Sequence, residues 1–285
     1  MTADLLALDI FSADAAGRAG VSTFELKQAV KNGTVLRLKR GWYTGQRPQW
    51  PSDRHRLRVQ IELGERANVV ASHYSAAAAS GLPVHRPDWR TVHLMRTDEQ
   101  GPRTRSGLVI HARVQAQPGL ALAIAQTALT CPVSGLMAFD AALHAERVTA
   151  AEVAAVAKSL AGLPGFAHLT PVLRLGDARR ESPLESRTAL TYDGWNLPLD
   201  PQFMVPGTRF RADGRIVGTA VLVESDGEGK YDDPGAGFRE KVREDDLRTH
   251  GWEVVRVTSD LLDRPAMLLA RTRTALRLAE RRRAA

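Results

Sequence analysis

Toward the C-terminal end of the chain, a set of acidic residues and one lysine have the types and spacing that phosphoryl chemistry uses. Glu224 and Asp226 stand two apart after the apolar run Ala220-Val221-Leu222-Val223, so they share one face of an expected strand. A carboxylate at the end of a buried strand calls for a partner or a metal. Asp213 precedes them where a neighbouring strand is expected to end, and pairing of the two strands would bring its carboxylate toward the Glu224/Asp226 pair. Carboxylates converging at strand ends suit a hard cation such as Mg²⁺ or Mn²⁺, which takes one or two carboxylates, waters and a phosphate oxygen. Such an ion activates water and neutralises charge at phosphorus. The expected assignment puts the metal on Asp213 and Glu224. Asp226 orients or deprotonates the attacking water, Lys230 steadies the developing charge, and Glu185 holds a water or metal nearby.

The elements that must position these groups read α-β-β-β-α-β-α. Ser182, Pro183 and Glu185 have the pattern of an N-cap, a first helical position and a capping box, opening a helix to about Tyr192. Asn196-Leu197-Pro198 ends it. Strands are expected at Pro201–Val205, Thr208–Asp213 and Thr219–Glu224, the last two forming a hairpin around Gly214–Gly218. A polar helix over Phe238–Thr249, a strand over Trp252–Val257 and a helix from Pro265 follow.

The first fifty residues have a different pattern. Ser12 caps a short helix that stops at Gly20. Ser22 with Glu25 forms a capping box for a helix over Thr23–Lys31, whose buried face is expected to carry Phe24, Leu26, Ala29 and Val30. Val35–Arg40, a turn at Gly41, and Trp42-Tyr43 make a basic hairpin. Helix, turn, helix and hairpin form a winged helix-turn-helix pattern, whose second helix can enter a major groove. Residues 1–60 carry ten Lys/Arg against five Asp/Glu. The expected DNA-contacting residues are Lys27, Lys31, Arg37, Lys39 and Arg40.

Between these blocks lies an alanine-rich stretch. It reads as a helix over Arg54–Glu65, a short strand, an alanine helix stopped by Gly81, strands at Thr91–Arg96 and Leu108–Arg113 with the Gly101-Pro102 turn between them, and helices at Ser134–His144 and Thr149–Leu160. His73, His85, His93 and His111 have spacings that match no ligand motif, and no carboxylate cluster joins them. They are expected to be ordinary core or surface histidines. Cys131 is expected to be a buried thiol.

Composition bounds the rest. The chain has 285 residues, 44% hydrophobic and 25% charged, enough for two or three domains at roughly 100–200 residues each. No apolar run approaches the roughly 18–20 residues of a membrane span, which excludes an integral membrane protein of the helical kind. Asp4 and Asp9 in place of a basic segment argue against a signal peptide. A single cysteine excludes a disulfide framework and a thiolate zinc cluster, and fits a reducing cytoplasm. The net charge of +7 favours a polyanionic partner.

Two resemblances add to this reading. The C-terminal block resembles the very-short-patch-repair-endonuclease-like branch of the PD-(D/E)XK nuclease superfamily. The residues that carry it are Ser182-Pro183-Leu184-Glu185-Ser186, Arg211-Ala212-Asp213, Val223-Glu224-Ser225-Asp226-Gly227 with Lys230-Tyr231, Lys241-Val242-Arg243-Glu244-Asp245, and Gly251-Trp252-Glu253-Val254-Val255-Arg256. The resemblance implies a restriction-endonuclease-like α/β fold with its metal on Asp213 and Glu224 and a first-helix acid at Glu185. Asp226 stands where many members have lysine, and Gly214-Arg215-Ile216-Val217-Gly218 replaces the usual bulky apolar run. Residues 12–45, together with Val70–Ala77, Gly81-Leu82-Pro83 and Val92-His93-Leu94, look like the winged helix and middle domain of AbiEi-type antitoxins. Such antitoxins are implied to repress their own operator and to counter a nucleotidyltransferase-like toxin.

The expected architecture is therefore a multidomain α+β protein: a winged helix at 1–50, an AbiEi-like α/β middle domain at 51–178, and a nuclease-fold domain at 179–285. The leading functional expectation is a DNA-binding protein with a nuclease-like domain, a Mg²⁺-dependent endonuclease or nickase acting on double-stranded DNA in phage defence or DNA processing. The alternative is an antitoxin and autorepressor whose nuclease fold is inactive. A protein-interaction module in phage defence is a third.

Overall fold

A computed structural model describes residues 2–226 and 246–284. Lys230, Tyr231 and most of the expected polar helix therefore lie outside the described residues. Of that helix, 246–249 are helical. The chain is a mixture of helix and strand with three sheets, consistent with a multidomain α+β protein. It divides into two compact units, Met1–Leu82 with Arg86–Thr127, and Pro83–His85 with Ala128–Ala285. This division differs from the sequence blocks: the first unit takes the N-terminal block and the central strands, and the second takes the helices after Ala128 and the C-terminal block.

The first unit opens with α1 (Ala3–Ala7), β1 (Phe11–Ser12), α2 (Ala13–Arg18) and α3 (Thr23–Lys31). The hairpin of β2 (Leu36–Lys39) and β3 (Trp42–Thr44) follows, and β1 adds to it in the order β1-β3-β2. Ser12 Oγ accepts from Ala15 N–H, and Ser22 and Glu25 form the complete capping box. Leu26, Ala29 and Val35 close a small core with Phe11 and Val21. Phe24 is not in it. It is 70% exposed, because it projects off the Leu26/Ala29 stripe.

Next come α4 (Pro51–Gly64), β4 (Val69–Ala71), α5 (His73–Ala79), β5 (Val92–Arg96), β6 (Arg103–Arg105) and β7 (Leu108–His111). The strands form the sheet β4-β5-β7-β6. The Gly101-Pro102 turn, expected between β5 and β7, does not join them as a hairpin. β5 and β7 run parallel, and β6 pairs antiparallel with β7 through a turn at Gly107, whose φ is +74°. A left-handed position after Ser106 suits glycine and makes the tight reversal there. Val92, Leu94, Leu108 and Ile110 point to one face and pack on Val59 of α4. Alternation turns His93, Met95, Val109 and His111 to the other.

In the second unit α7 (Pro132–His144), α8 (Ala150–Lys158), α9 (Leu169–Leu175) and α10 (Pro183–Asp193) precede the third sheet. α6 (Leu120–Thr130) runs through the boundary between the units. The sheet contains β8 (Leu199–Met204), β9 (Arg211–Ile216), β10 (Val221–Ser225) and β11 (Glu253–Val257) in the order β11-β10-β9-β8. The three β8–β10 strands are antiparallel, and β11 returns parallel to β10. Two helices, α11 (Ser259–Leu262) and α12 (Pro265–Ala284), end the chain. Tyr192 of α10, Val221, Val223, Val255, Val257 and Leu268 form the core of this unit. Each such apolar side chain contributes about 1.5–3 kcal/mol by leaving water. The Tyr192 hydroxyl is satisfied by Thr272 Oγ1 at 2.9 Å.

One strand boundary matters for the site. β9 does not end at Asp213; it runs through Gly214 to Ile216, and the reversal falls at Gly218, with φ +79°. Gly214 lies inside the strand, where a Cβ would meet the Leu199 side chain at ordinary contact distance.

Candidate functional site

The register of the C-terminal sheet places the expected residues. β10 pairs with β9 as Leu222↔Arg215 and Val223↔Gly214, and the pairing ends there, one step short of Glu224 and Asp213. β9 pairs with β8 as Pro201↔Gly214 and Phe203↔Ala212, so Gln202 lies opposite Asp213 on the other side. β11 adds Arg256 beside Glu224. Gln202 thus faces Asp213 across β8 and β9, and Glu224 faces Arg256 across β10 and β11.

Each of these is held. Asp213 Oδ2 accepts from the Ser225 backbone N–H at 2.7 Å, a side-chain bond just past the last paired residues of β9 and β10. Glu224 is buried. Asp226 does not stand alone at the strand end, because Arg256 donates to its Oδ2 at 3.0 Å. Gln202 has φ +55°, a left-handed value within a strand. Its side chain donates to Glu185 Oε2 at 2.8 Å.

Glu185 is buried in the first turn of α10. Ser182 Oγ accepts from Glu185 N–H, as the cap requires, but the reciprocal half of the expected box is different. The Glu185 carboxylate accepts from Glu181 N–H at 3.1 Å. The acid is therefore turned toward the sheet. Glu185, Asp213 and Ser225 line one small cleft with Arg180 and Thr188. The structure thus places Glu185 and Asp213 in one cleft whose lining does not include Glu224, and commits Asp226 to Arg256. Among the described residues the acids do not form the expected group of three close enough to hold an ion, because their side chains are taken up by separate partners.

A buried ion pair fixes the entry to α10. Arg180 Nη1 donates to Asp140 Oδ2 of α7 at 2.9 Å and to the Leu175 carbonyl at 2.7 Å. Asp177 N–H donates to the other Asp140 oxygen. Burial pushes the Asp140 carboxyl up, and the Arg180 guanidinium opposes that shift.

Gln202 and Arg180 carry no signal in the sequence, and Arg256 enters there only as the end of a matched strand. An isolated glutamine after proline and single arginines are common on solvated surfaces, and only the register gives these a role.

The surface of the N-terminal helices and hairpin has a different charge layout from the one expected. Lys27, Lys31, Arg37 and Arg40 are exposed. Lys39 is not presented outward: its ammonium lies 2.6 Å from Glu62 and 2.9 Å from Glu65 of the α4 region. Trp42 Nε1 also donates to Glu65, at 2.6 Å. Lys39 therefore fastens the hairpin to the following helix. The exposed α3 face carries Phe24 together with Lys27 and Lys31.

Two other expectations change. Cys131 is half-buried and caps α7, its Sγ accepting from Ser134 N–H. His73, His93 and His111, whose spacings match no ligand motif, come together, with ring nitrogens within 4.8 Å of one another. The sheet register brings β5 and β7 side by side, which sequence spacing cannot express. Among the described residues no helix is long and apolar enough to cross a membrane. No family model and no curated protein matches this chain.

Proposed function

We propose that this protein binds double-stranded DNA and hydrolyses a phosphodiester bond, with Mg²⁺ or Mn²⁺ held by Asp213 and Glu224. The observation that carries this reading is the cleft shared by Asp213 and the buried Glu185, whose carboxylate accepts from Gln202 and Glu181, with Glu224 one residue past the paired end of β10. The donor set is made of carboxylate oxygens, which fits a hard divalent cation. When bound, such an ion polarises the phosphoryl group and lowers the pKa of water. Glu185 keeps one orientation through its two donors, so it offers a fixed acceptor beside the reacting phosphate. Arg256 neutralises Asp226 and prevents a further negative charge from repelling the substrate. Lys27, Lys31, Arg37 and Arg40 hold the duplex through its phosphates, and α3 enters the major groove.

The test is nicking of supercoiled plasmid with Mg²⁺ or Mn²⁺, run beside Asp213→Ala and Glu224→Ala. Metal-dependent nicking that both variants lose supports the assignment. Nicking retained by both variants overturns it.

A second reading is favoured by one specific feature. Asp213 accepts from a backbone amide and Asp226 is ion-paired, so part of the acidic set serves the fold. In that reading the C-terminal unit is an inactive relative of the nuclease fold. The protein is then an AbiEi-type antitoxin and autorepressor, countering a nucleotidyltransferase-like toxin. Salt-sensitive binding to its own promoter fragment with no nicking selects it.

A further inference from the structure

We propose that His73, His93 and His111 form a binding site for a divalent transition-metal ion of the zinc class, with one coordination position left open. The site lies in the first unit and is independent of the carboxylates discussed above.

The three ligands come from three elements. His93 is on β5 and His111 on the parallel neighbour β7, in adjacent rows of one sheet face. His73 is the first residue of α5. His93 Nδ1 and His111 Nε2 are 2.9 Å apart. The His73 and His111 rings stack with centroids 3.8 Å apart, and all three ligand nitrogens fall within 4.8 Å. Zinc–nitrogen bonds of about 2.0–2.1 Å set tetrahedral ligand nitrogens about 3.3 Å apart, close to the present spacing, and the stacked His73 and His111 rings turn out of their stack to aim their lone pairs at one ion. The hydrogen shared by His93 and His111 is replaced by the metal when the donating ring moves its hydrogen to the other nitrogen. Both rings stay neutral in this exchange.

The surroundings favour ligation over an ordinary core stack. His73 is held at φ +50°, a left-handed backbone value that costs a non-glycine residue about 1 kcal/mol or more. Its N–H faces Gln126 Oε1 at 3.4 Å, and its Nδ1 faces Ser72 Oγ at 3.1 Å, which leaves Nε2 as the outward nitrogen. Such a bond to the second ring nitrogen is what orients a metal-binding imidazole. Ser75 Oγ accepts from His93 N–H and bonds His55 Nε2, fixing α5 against β5. His73 is buried, whereas His93 and His111 are half-buried, so the trio opens to solvent on one side. Three imidazoles with an open position suit zinc, copper, nickel or iron and disfavour magnesium and calcium.

The experiment uses the tag-free full chain, stripped with EDTA and titrated with Zn²⁺ against a chromophoric chelator. The expected result is uptake of one Zn²⁺ per chain, no competition from Mg²⁺, and visible absorption of a four-coordinate site when Co²⁺ is used. His93→Ala and His111→Ala should each weaken Zn²⁺ binding by about tenfold or more and abolish the Co²⁺ absorption. His85→Ala, outside the cluster, should change neither. If an alanine variant fails to fold, as judged by circular dichroism, the same comparison is made with His111→Gln. Absence of Zn²⁺ uptake by the parent chain overturns the proposal, as does uptake that keeps its affinity in the variants.

Discussion

Gln202 donates a 2.8 Å hydrogen bond to Glu185, linking a left-handed residue of β8 to the buried acid in the first turn of α10. The strand conformation that aims Gln202 is costly for any side chain, and the bond to Glu185 offsets part of that cost. Gln202→Gly removes the backbone strain together with the amide. Its thermal stability should stay within about 1 kcal/mol of the parent chain, while Gln202→Ala should be less stable than Gln202→Gly. Nicking activity should fall about tenfold or more in both, because Glu185 loses its orienting donor. Melting curves and plasmid assays on the pair check this. Equal stability of the alanine and glycine variants would show that the strand relaxes.

The Asp140–Arg180 pair is almost wholly buried, with side-chain exposures of 2% and 4%. Asp140→Ala leaves the guanidinium uncompensated in the interior. The expected loss is about 3–5 kcal/mol, read as a lower urea midpoint. Replacing both residues together with apolar ones should cost much less than Asp140→Ala alone. A single-variant loss below about 1 kcal/mol would mean that water reaches the pair.

Acid should destabilise the first unit in metal-free protein. Burial lowers the affinity of His55, His73, His93 and His111 for protons, taking His93 from 6.5 to about 4 and His73 to about 2. Arg58 reinforces the shift of His55 and Asp88 opposes it. With folded values depressed, the unfolded chain binds more protons below about pH 6.5, so stability is present above that pH and is lost as the pH falls toward the folded values. Urea midpoints should decline steadily between about pH 6.5 and pH 4. A flat profile across that window would contradict the burial of these rings.

DNA binding should separate the basic residues by their partners. Lys27→Ala, Lys31→Ala, Arg37→Ala and Arg40→Ala each remove an exposed cation, and a side chain that neutralises one phosphate should take about 0.9 off the salt slope when it is removed. Lys39→Ala should leave the slope unchanged and lower the melting temperature, since Lys39 serves Glu62 and Glu65. Fluorescence anisotropy at several salt concentrations distinguishes them. A slope change for Lys39→Ala equal to the others would mean that the pairing opens on DNA.

Local elements are largely readable from the chain alone. The capping boxes at Ser22/Glu25 and Thr149/Glu152 form as their spacing implies, and Pro183 takes the first position of α10. The alanine helix, the basic hairpin and the α-β-β-β order are also visible, because caps, turns and periodicity act within a few residues. Phe24 departs from its expected burial because it lies off the Leu26/Ala29 stripe that packs into the core. The parallel pairing of β5 and β7 is hidden because β6 intervenes and its residues are all exposed.

The sequence by itself determined many of the helices and strands, where the charge lies, and which acidic residues stand near strand ends, but not β1, β6 or α6. Tertiary structure decided what those residues face. Register set Gln202 opposite Asp213 and Glu224 opposite Arg256, and packing gave Asp226 to Arg256, drew Lys39 onto α4, and gathered three histidines whose spacing announced nothing. The physical reason is range. Capping and turn formation depend on neighbours in the chain, whereas hydrogen-bond register, ion pairing and ligand convergence depend on distances that exist only after distant segments pack.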